Sequence, residues 1–458
     1  MRRHSFFVLV GILCAAFYWT MGNAAAFAAD RATVGLPTST AKTNPARAGQ
    51  SKTTPADAAK EPAAEKKAAP EKRGRAAKEE PIIRVGLAES QASAVLTCDG
   101  AYVFRDAMTG AELGKRAAGA VSTVTVKNRR FAVDGKDVSA KKIRFAIADE
   151  RSSRFLSVAG EKYRGTVLLL LADDGTITVV NEVKLDDYIG GVISEEMSPD
   201  WPTEALKAQA VAARTFAAYS LGKHDDDGYD VCATTCCQVY GGIGSESPEG
   251  LRAVSATRGE IMTYQGKPIY AAFYASSGGM TAGSEEMGGT ALPYLQAVRD
   301  PQDAVAPNRH WQVSMSPREL ASKLASAGVS VGTLKAIELT PLELGKSAAD
   351  RYPSGRVKNI RFIGTTQKVD ISGPKLRWIV GLPSTLLDIR YGPENKTAPN
   401  TKGKIEISNQ NAVIVFDGYG RGHGVGMSQW GAYGMAAKSK YRDILSHYYR
   451  NVDVTWLF

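Results

Sequence analysis

Residues 183–217 read VKLDDYIGGVISEEMSPDWPTEALKAQAVAARTFA. The first half is a strand-like run that ends in two adjacent carboxylates, Glu195 and Glu196. On a strand these two would point to opposite faces. A Ser198-Pro199-Asp200-Trp201-Pro202 turn follows, then an Ala-rich helix over about 202–222 with Pro202 suited to its first turn. Leu206, Ala210, Ala213 and Ala217 recur at helical spacing and give a narrow small-residue face for close packing. Arg214 stands in this otherwise small and apolar stretch. A carboxylate placed where a strand gives way to a turn tends to face a cleft, and there it can do acid–base work.

Upstream of this stretch the chain reads as short strands. Runs at 82–88, 93–97, 121–126, 153–158, 166–171 and 176–183 alternate or are β-branched, with Gly, Asp and Lys turns between them. Downstream the pattern mixes. PIYAAFYASS (268–277) reads as a strand, and SPRELASKLASAG (316–328) as a helix with Ser316 as cap and Gly328 as stop. RVKNIRFIG (356–364) and KVDISG (368–373) read as a hairpin pair. NAVIVFDGYG (411–420) enters a glycine-rich loop, and YRDILSHYYRNV (441–452) is a terminal amphipathic helix. No internal repeat is visible. The expected fold class is α+β: a β-rich single large domain over 81–458 with a central Ala-rich helix and a C-terminal helix.

Charge is concentrated ahead of that domain. Residues 1–80 hold 13 Lys+Arg and 7 Asp+Glu, a net of +6, whereas the remaining 378 residues hold 44 and 40, a net of +4. The folded part is near balance, which does not support a nucleic-acid footprint. Arg2 and Arg3 precede the apolar run 6–19, and Ala26-Phe27-Ala28 offers a cleavage pattern, so 1–29 reads as an export signal or a retained anchor. Cys14 follows a bulky Leu13, which argues against a lipoprotein. Residues 30–80 are rich in Ala, Pro and Lys and lack aromatics, the composition of a disordered tether. The protein is expected to be exported to the cell wall or periplasm, touching membrane only through its N-terminal segment.

Four strings, taken in order, resemble one known family. They are EMSPDWPTEALKAQAVAART (196–215), FYASSGGMT (273–281), SGRV (354–357) and GRGHGVGMSQWGA (420–432), and they lie within roughly residues 82–458. The chain resembles the stage II sporulation protein D and amidase-enhancer family. That resemblance implies a peptidoglycan lytic transglycosylase acting on glycan strands, including strands stripped of stem peptides. Cleavage of a glycosidic bond needs a proton delivered to the leaving oxygen, and a carboxylic acid with a raised pKa supplies it. Glu196 occupies the family's Glu-Met position and is the expected acid/base.

The remaining candidates surround it. Glycines at 418, 420, 422, 424, 426, 431 and 434 let the backbone approach a ligand closely. His423 lies between two of them and is expected to pack against little. Ser428 and Gln429 open the next helix, and Trp430 or Tyr433 would give a sugar an aromatic platform. Ser276, Ser277 and Arg214 complete the expected substrate-binding set; no G-x-S-x-G frame surrounds the serines. The glycine-rich string lacks the Lys-Ser/Thr ending of a phosphate loop.

GKHDDDGYDVCATTCCQVYGG (222–242) brings His224, Cys232, Cys236 and Cys237 close in sequence. Thiolates and imidazole suit tetrahedral zinc. The family pattern aligns His224, Cys232 and Cys237, with Cys236 standing where a His is often found. The alternative is a disulfide, since an exported chain with four cysteines beyond Cys14 has an even count, and Cys98 could pair with one of the three.

Two rival functions stand beside the enzyme. One is a non-catalytic wall-binding enhancer of an N-acetylmuramoyl-L-alanine amidase; the other is a structural zinc module that recruits partners.

Overall fold

A computed structural model describes residues 79–149 and 153–458. The export signal, Cys14 and the tether up to residue 78 lie outside the described residues. Glu80 is held against the domain: its carboxylate accepts the Asp186 backbone N–H at 2.9 Å and faces Arg258 at 3.3 Å. Among the described residues no helix is long and apolar enough to cross a membrane.

The β-rich first portion forms two sheets. One has seven strands, in the order 231–232, 82–91, 177–184, 166–171, 142–147, 102–106 and 112–116; the other has six, in the order 161–163, 156–158, 93–98, 121–127, 130–133 and 136–138. Period-2 alternation sends Ile83 and Val85 from the first sheet, and Leu96 and Val124 from the second, into one shared core.

Among the described residues seven α-helices follow: α1 (Leu185–Glu196), α2 (Thr203–Tyr219), α3 (Pro248–Ala256), α4 (Pro317–Ser326), α5 (Gly373–Val380), α6 (Gln429–Ala436) and α7 (Tyr441–Tyr448). The run expected as a strand before Glu195 is helix α1. Leu185, Tyr188, Ile189, Val192 and Ile193 are all buried, at the 3–4 residue spacing of a helix face. The Gly190-Gly191 pair hides that periodicity, and its reason is tertiary. A Cβ on Gly191 would come within 2.5 Å of the Tyr240 ring, so a close crossing outweighs helix propensity. Glu195 and Glu196 therefore close a helix, about 100° apart around its axis rather than on opposite faces.

Helix α2 is buried nearly all round rather than along one narrow face; twelve of its residues, from Ala205 to Ala217, are buried. Its buried charge, Arg214, donates from Nε to Asp186 on α1 at 2.5 Å and from its Nη atoms to the Glu260 and Val254 carbonyls. Pro202 sits one residue before the helix, as its cap.

The second half builds a separate core within the same compact unit. Strands 310–315, 413–419, 387–392 and 398–399 form one sheet; 368–372, 359–364, 334–338 and 404–406 form another. Leu320 and Leu324 of α4, Leu376 and Val380 of α5, Phe362 and Phe416 fill the space between. Ser316 caps α4 through the Glu319 N–H, and the 359–364/368–372 hairpin forms as the sequence implies. PIYAAFYASS does not form one strand. Only Phe273 and Tyr274 within it pair in parallel, with Met427 and Ser428, because this run threads between the central helices and the glycine-rich loop.

Candidate functional site

Glu196 is the last residue of α1, and Met197 turns the chain into extended backbone behind it. The Glu196 carboxylate is half-buried while Glu195 is exposed and accepts a hydrogen bond from the Ser245 hydroxyl. Gln429 Nε2 donates to Glu196 at 3.3 Å, and the Val239 backbone N–H donates to it as well. Burial pushes its pKa above the ordinary carboxyl range, against the pull of those two donors, and Glu195 adds a smaller push in the same direction. None of the groups acting on its charge is a cation. Because burial favours its neutral form, a carboxyl so placed is a better proton donor to a basic oxygen than a solvated one.

An aromatic cluster forms from the segments on either side of that hydrogen bond. Trp201, four residues past Met197, lies 4.6 Å from Trp430 and 5.1 Å from Tyr433 between ring centroids. All three are partly exposed, so apolar ring surface remains for a sugar face.

The glycine-rich loop, the SSGG turn and the SGRV string converge. Ser276 pairs with Arg421 and Ala282 with Val425 as isolated bridges. Gly424 has φ +94°, and a Cβ there would come within 2.5 Å of the Arg356 guanidinium. Arg356 is itself 2% exposed and donates to the Ser277 and Met280 carbonyls. Ser354 donates to the Glu286 carboxylate.

The structure separates the expected substrate-binding residues into two groups. Gln429 donates to Glu196, and Trp430, the next residue, packs in the aromatic cluster with Trp201 and Tyr433. Ser276, Ser277, Ser428 and Arg214 are buried with their polar groups satisfied inside the protein. Asp303, fully buried, accepts from the hydroxyls of Ser276 (2.8 Å) and Ser428 (2.9 Å) and from the backbone N–H of Ser277 (3.0 Å) and Gly278 (2.9 Å). These residues lock the two loops together, and Arg214 locks α1 to α2. His423 does not pack against little. Its Nε2 contacts the Phe273 carbonyl at 3.0 Å and its Nδ1 accepts the Val425 N–H at 3.1 Å. Burial, with Arg356 and Arg377 nearby, pushes its pKa down to about 4, so the ring is neutral, a clasp rather than a proton carrier.

The donor atoms of His224, Cys232, Cys236 and Cys237 all lie within 4.8 Å of one another. Three thiols and one imidazole at that spacing match a closed tetrahedral set. Cys237 Sγ is 3.5 Å from His224 Nε2, and the Lys223 ammonium lies 3.2 Å from the same sulfur. Cys98 is buried in strand 93–98 beside Asp99 and Gly100, outside this group.

Some residues had no signal in the sequence. Asp303 is one acid in an unremarkable PQDAV string, and Val239 acts through its backbone alone. Trp201 stood in plain view in the turn, but only the fold brings it onto Trp430.

Residues 173–264 match the family model described as stage II sporulation protein. The chain is 35% identical over 375 residues to an uncharacterised protein of Brachyspira hyodysenteriae, covering 81% of this chain and 92% of the relative. It is 31% identical over 292 residues to stage II sporulation protein D of Bacillus amyloliquefaciens, covering 60% and 75% respectively. It is 29% identical over 365 residues to the amidase enhancer of Bacillus subtilis, covering 74% of this chain and 50% of that longer protein.

Proposed function

The chain belongs to the stage II sporulation protein D family, and we propose that it is an exported cell-wall enzyme that cleaves peptidoglycan glycan strands as a lytic transglycosylase. The observation that carries this reading is the environment of Glu196. It is a half-buried carboxyl with a raised pKa, held by neutral donors, one of which, Gln429, directly precedes Trp430 of the aromatic cluster.

The chemistry needs one such group. Protonated Glu196 gives its proton to the glycosidic oxygen as the bond to the anomeric carbon breaks. The resulting carboxylate then takes the proton of the same sugar's C6 hydroxyl. The C6 oxygen closes on the anomeric carbon, leaving a 1,6-anhydro end, and Glu196 is again protonated. No water is consumed, so no second carboxylate is needed to activate one. Glu195, turned to Ser245, is consistent with that economy. Gln429 fixes the rotamer of Glu196, and the rings of Trp201, Trp430 and Tyr433 provide an apolar face for the sugar.

His224, Cys232, Cys236 and Cys237 would hold a zinc ion as a structural clamp. Zinc there would supply folding energy to the 222–240 segment, which contributes the Val239 N–H to Glu196.

The test is incubation of the protein with peptide-free glycan strands, followed by mass spectrometry of the ends. Anhydro-ended fragments from the parent and none from Glu196→Gln support the reading; hydrolytic ends overturn it. The name of the B. subtilis relative favours one alternative, a non-catalytic enhancer of a wall amidase. That reading predicts no cleavage by parent or variant, and faster peptide removal by an added amidase.

A further inference from the structure

An open cleft lies against Gly422 and His423 of the glycine-rich loop. It has a volume of about 470 Å³, and its walls include Met287, Arg377, Trp378, Leu382, Gly422 and His423. That size suits a small organic group. Two of its side chains have no evident role in the core. Leu376 and Val380 turn one face of α5 inward, which leaves Trp378 outward and 77% exposed. Arg377 gives its Nε to the Leu382 carbonyl at 3.1 Å, and the charges that act on it are those of Arg356 and Arg421, both positive. Arg356 is buried with Nε and Nη1 unpartnered; Glu286 and Asp303 lie close enough to offset part of its charge, whereas Arg377 has no such offset. The cleft therefore combines a free indole face with an uncompensated cationic rim.

We propose that this cleft is a binding subsite for a carboxylate-bearing amino sugar, with the ring stacked on Trp378 and the carboxylate received by Arg377. This rests on the glycan reading of Glu196 and deepens it. In peptidoglycan the ring bearing a directly attached acid is the one with a lactyl ether. Its carboxylate is free when the peptide is gone and is an amide when the peptide is present. A planar guanidinium suits a carboxylate, and indole suits a sugar face. The position is consistent with one continuous strand. Gly422–His423 forms the cleft wall, and Gln429, which holds Glu196, is six residues from His423. Six residues span at most about 20 Å. Arg377 would thereby be the residue that distinguishes a free carboxylate from an amide on the strand.

The experiment measures binding by the full chain carrying Glu196→Gln, so that nothing is cut. Three soluble strand preparations are compared: peptide-free with free carboxylates, the same strands with carboxylates capped as methylamides, and peptide-bearing strands. Free-carboxylate strands should bind about ten-fold more tightly than capped ones, the size of one charge-assisted hydrogen-bonded contact. Arg377→Gln should remove that difference by loosening only the free-carboxylate strands. Arg377→Lys should restore part of it, and Trp378→Ala should loosen both preparations. Both sites are partly or fully exposed, and unfolding curves matching the parent's will show that the fold is kept. A preference that survives Arg377→Gln, or tighter binding of peptide-bearing strands, overturns the proposal. Equal binding of free and capped strands also overturns it while leaving the glycan reading intact; failure to bind any strand removes both.

Discussion

Gln429 at the start of α6 donates its side-chain amide to the carboxylate of Glu196 at the end of α1, across 3.3 Å and 233 positions of sequence. The bond joins the glycine-rich loop to a carboxyl whose pKa the fold raises. It also makes the acid sensitive to a residue that exchanges no proton itself.

Glu196→Gln should lower turnover by roughly 10²–10⁴-fold, the usual worth of a positioned acid–base group. Glu195→Gln should keep most activity. The folded pKa of Glu196 lies above its unfolded value, so the protonated form is favoured by folding. Its contribution to stability is present at low pH and is lost as pH rises through the folded pKa. The acid step should fade over the same rise. Glu196→Gln, which cannot ionise, should melt at or above the parent temperature at neutral pH. Rate–pH profiles and calorimetry of the two proteins check both signs, and a variant less stable than the parent at pH 8 would contradict the argument.

Asp303→Ala should be among the most damaging single changes. It strips four donors of their acceptor at a fully buried point. A loss on the order of 3–5 kcal/mol is expected from unsatisfied buried groups and a broken network. Denaturant melts measure it, and a cost below about 1 kcal/mol would show that the loops are held by something else.

His423→Ala should reduce stability before it reduces chemistry. The neutral ring is clasped between Phe273 and Val425, and its folded pKa is near 4. Its ordinary value is about 6.5. The contribution is therefore complete above about pH 6.5 and is lost as pH falls toward 4, on the order of 3 kcal/mol in all. Melting temperatures of parent and variant should converge as the solution is acidified through that window. Parallel curves would mean that the ring titrates normally.

Cys232→Ser should release metal and loosen the segment that carries Val239. The expected readings are about one equivalent of zinc in the reduced parent, none in the variant, and faster amide exchange at Val239. Metal-free parent protein with a disulfide through Cys232 would reject the clamp.

Some of this was legible in the residues alone. Alternation near Ile83, Leu96 and Val124 identified strands, because a strand's period of two needs only its own side chains. Ser316 announced α4, and the Glu-Met pair followed by the Ala-rich helix pointed to Glu196. Spacing gathered His224, Cys232, Cys236 and Cys237, since ligands within 14 positions of one another need little folding to meet. The α1 helix was misread because Gly190 and Gly191 obscure its period, and their purpose is a partner, Tyr240, that no local pattern displays.

What the sequence by itself determined is therefore local: element type where the period is clean, the order of the motifs, and which residues carry reactive groups. Tertiary structure decided what each of those groups can reach. It turned Ser276, Ser277 and Ser428 inward onto Asp303, clasped His423, and left Glu196 half-buried against Gln429 with no cation on it. Burial and hydrogen-bond partners come from chain segments hundreds of residues apart. They set whether a carboxyl or an imidazole holds its proton, so that decision belongs to the fold.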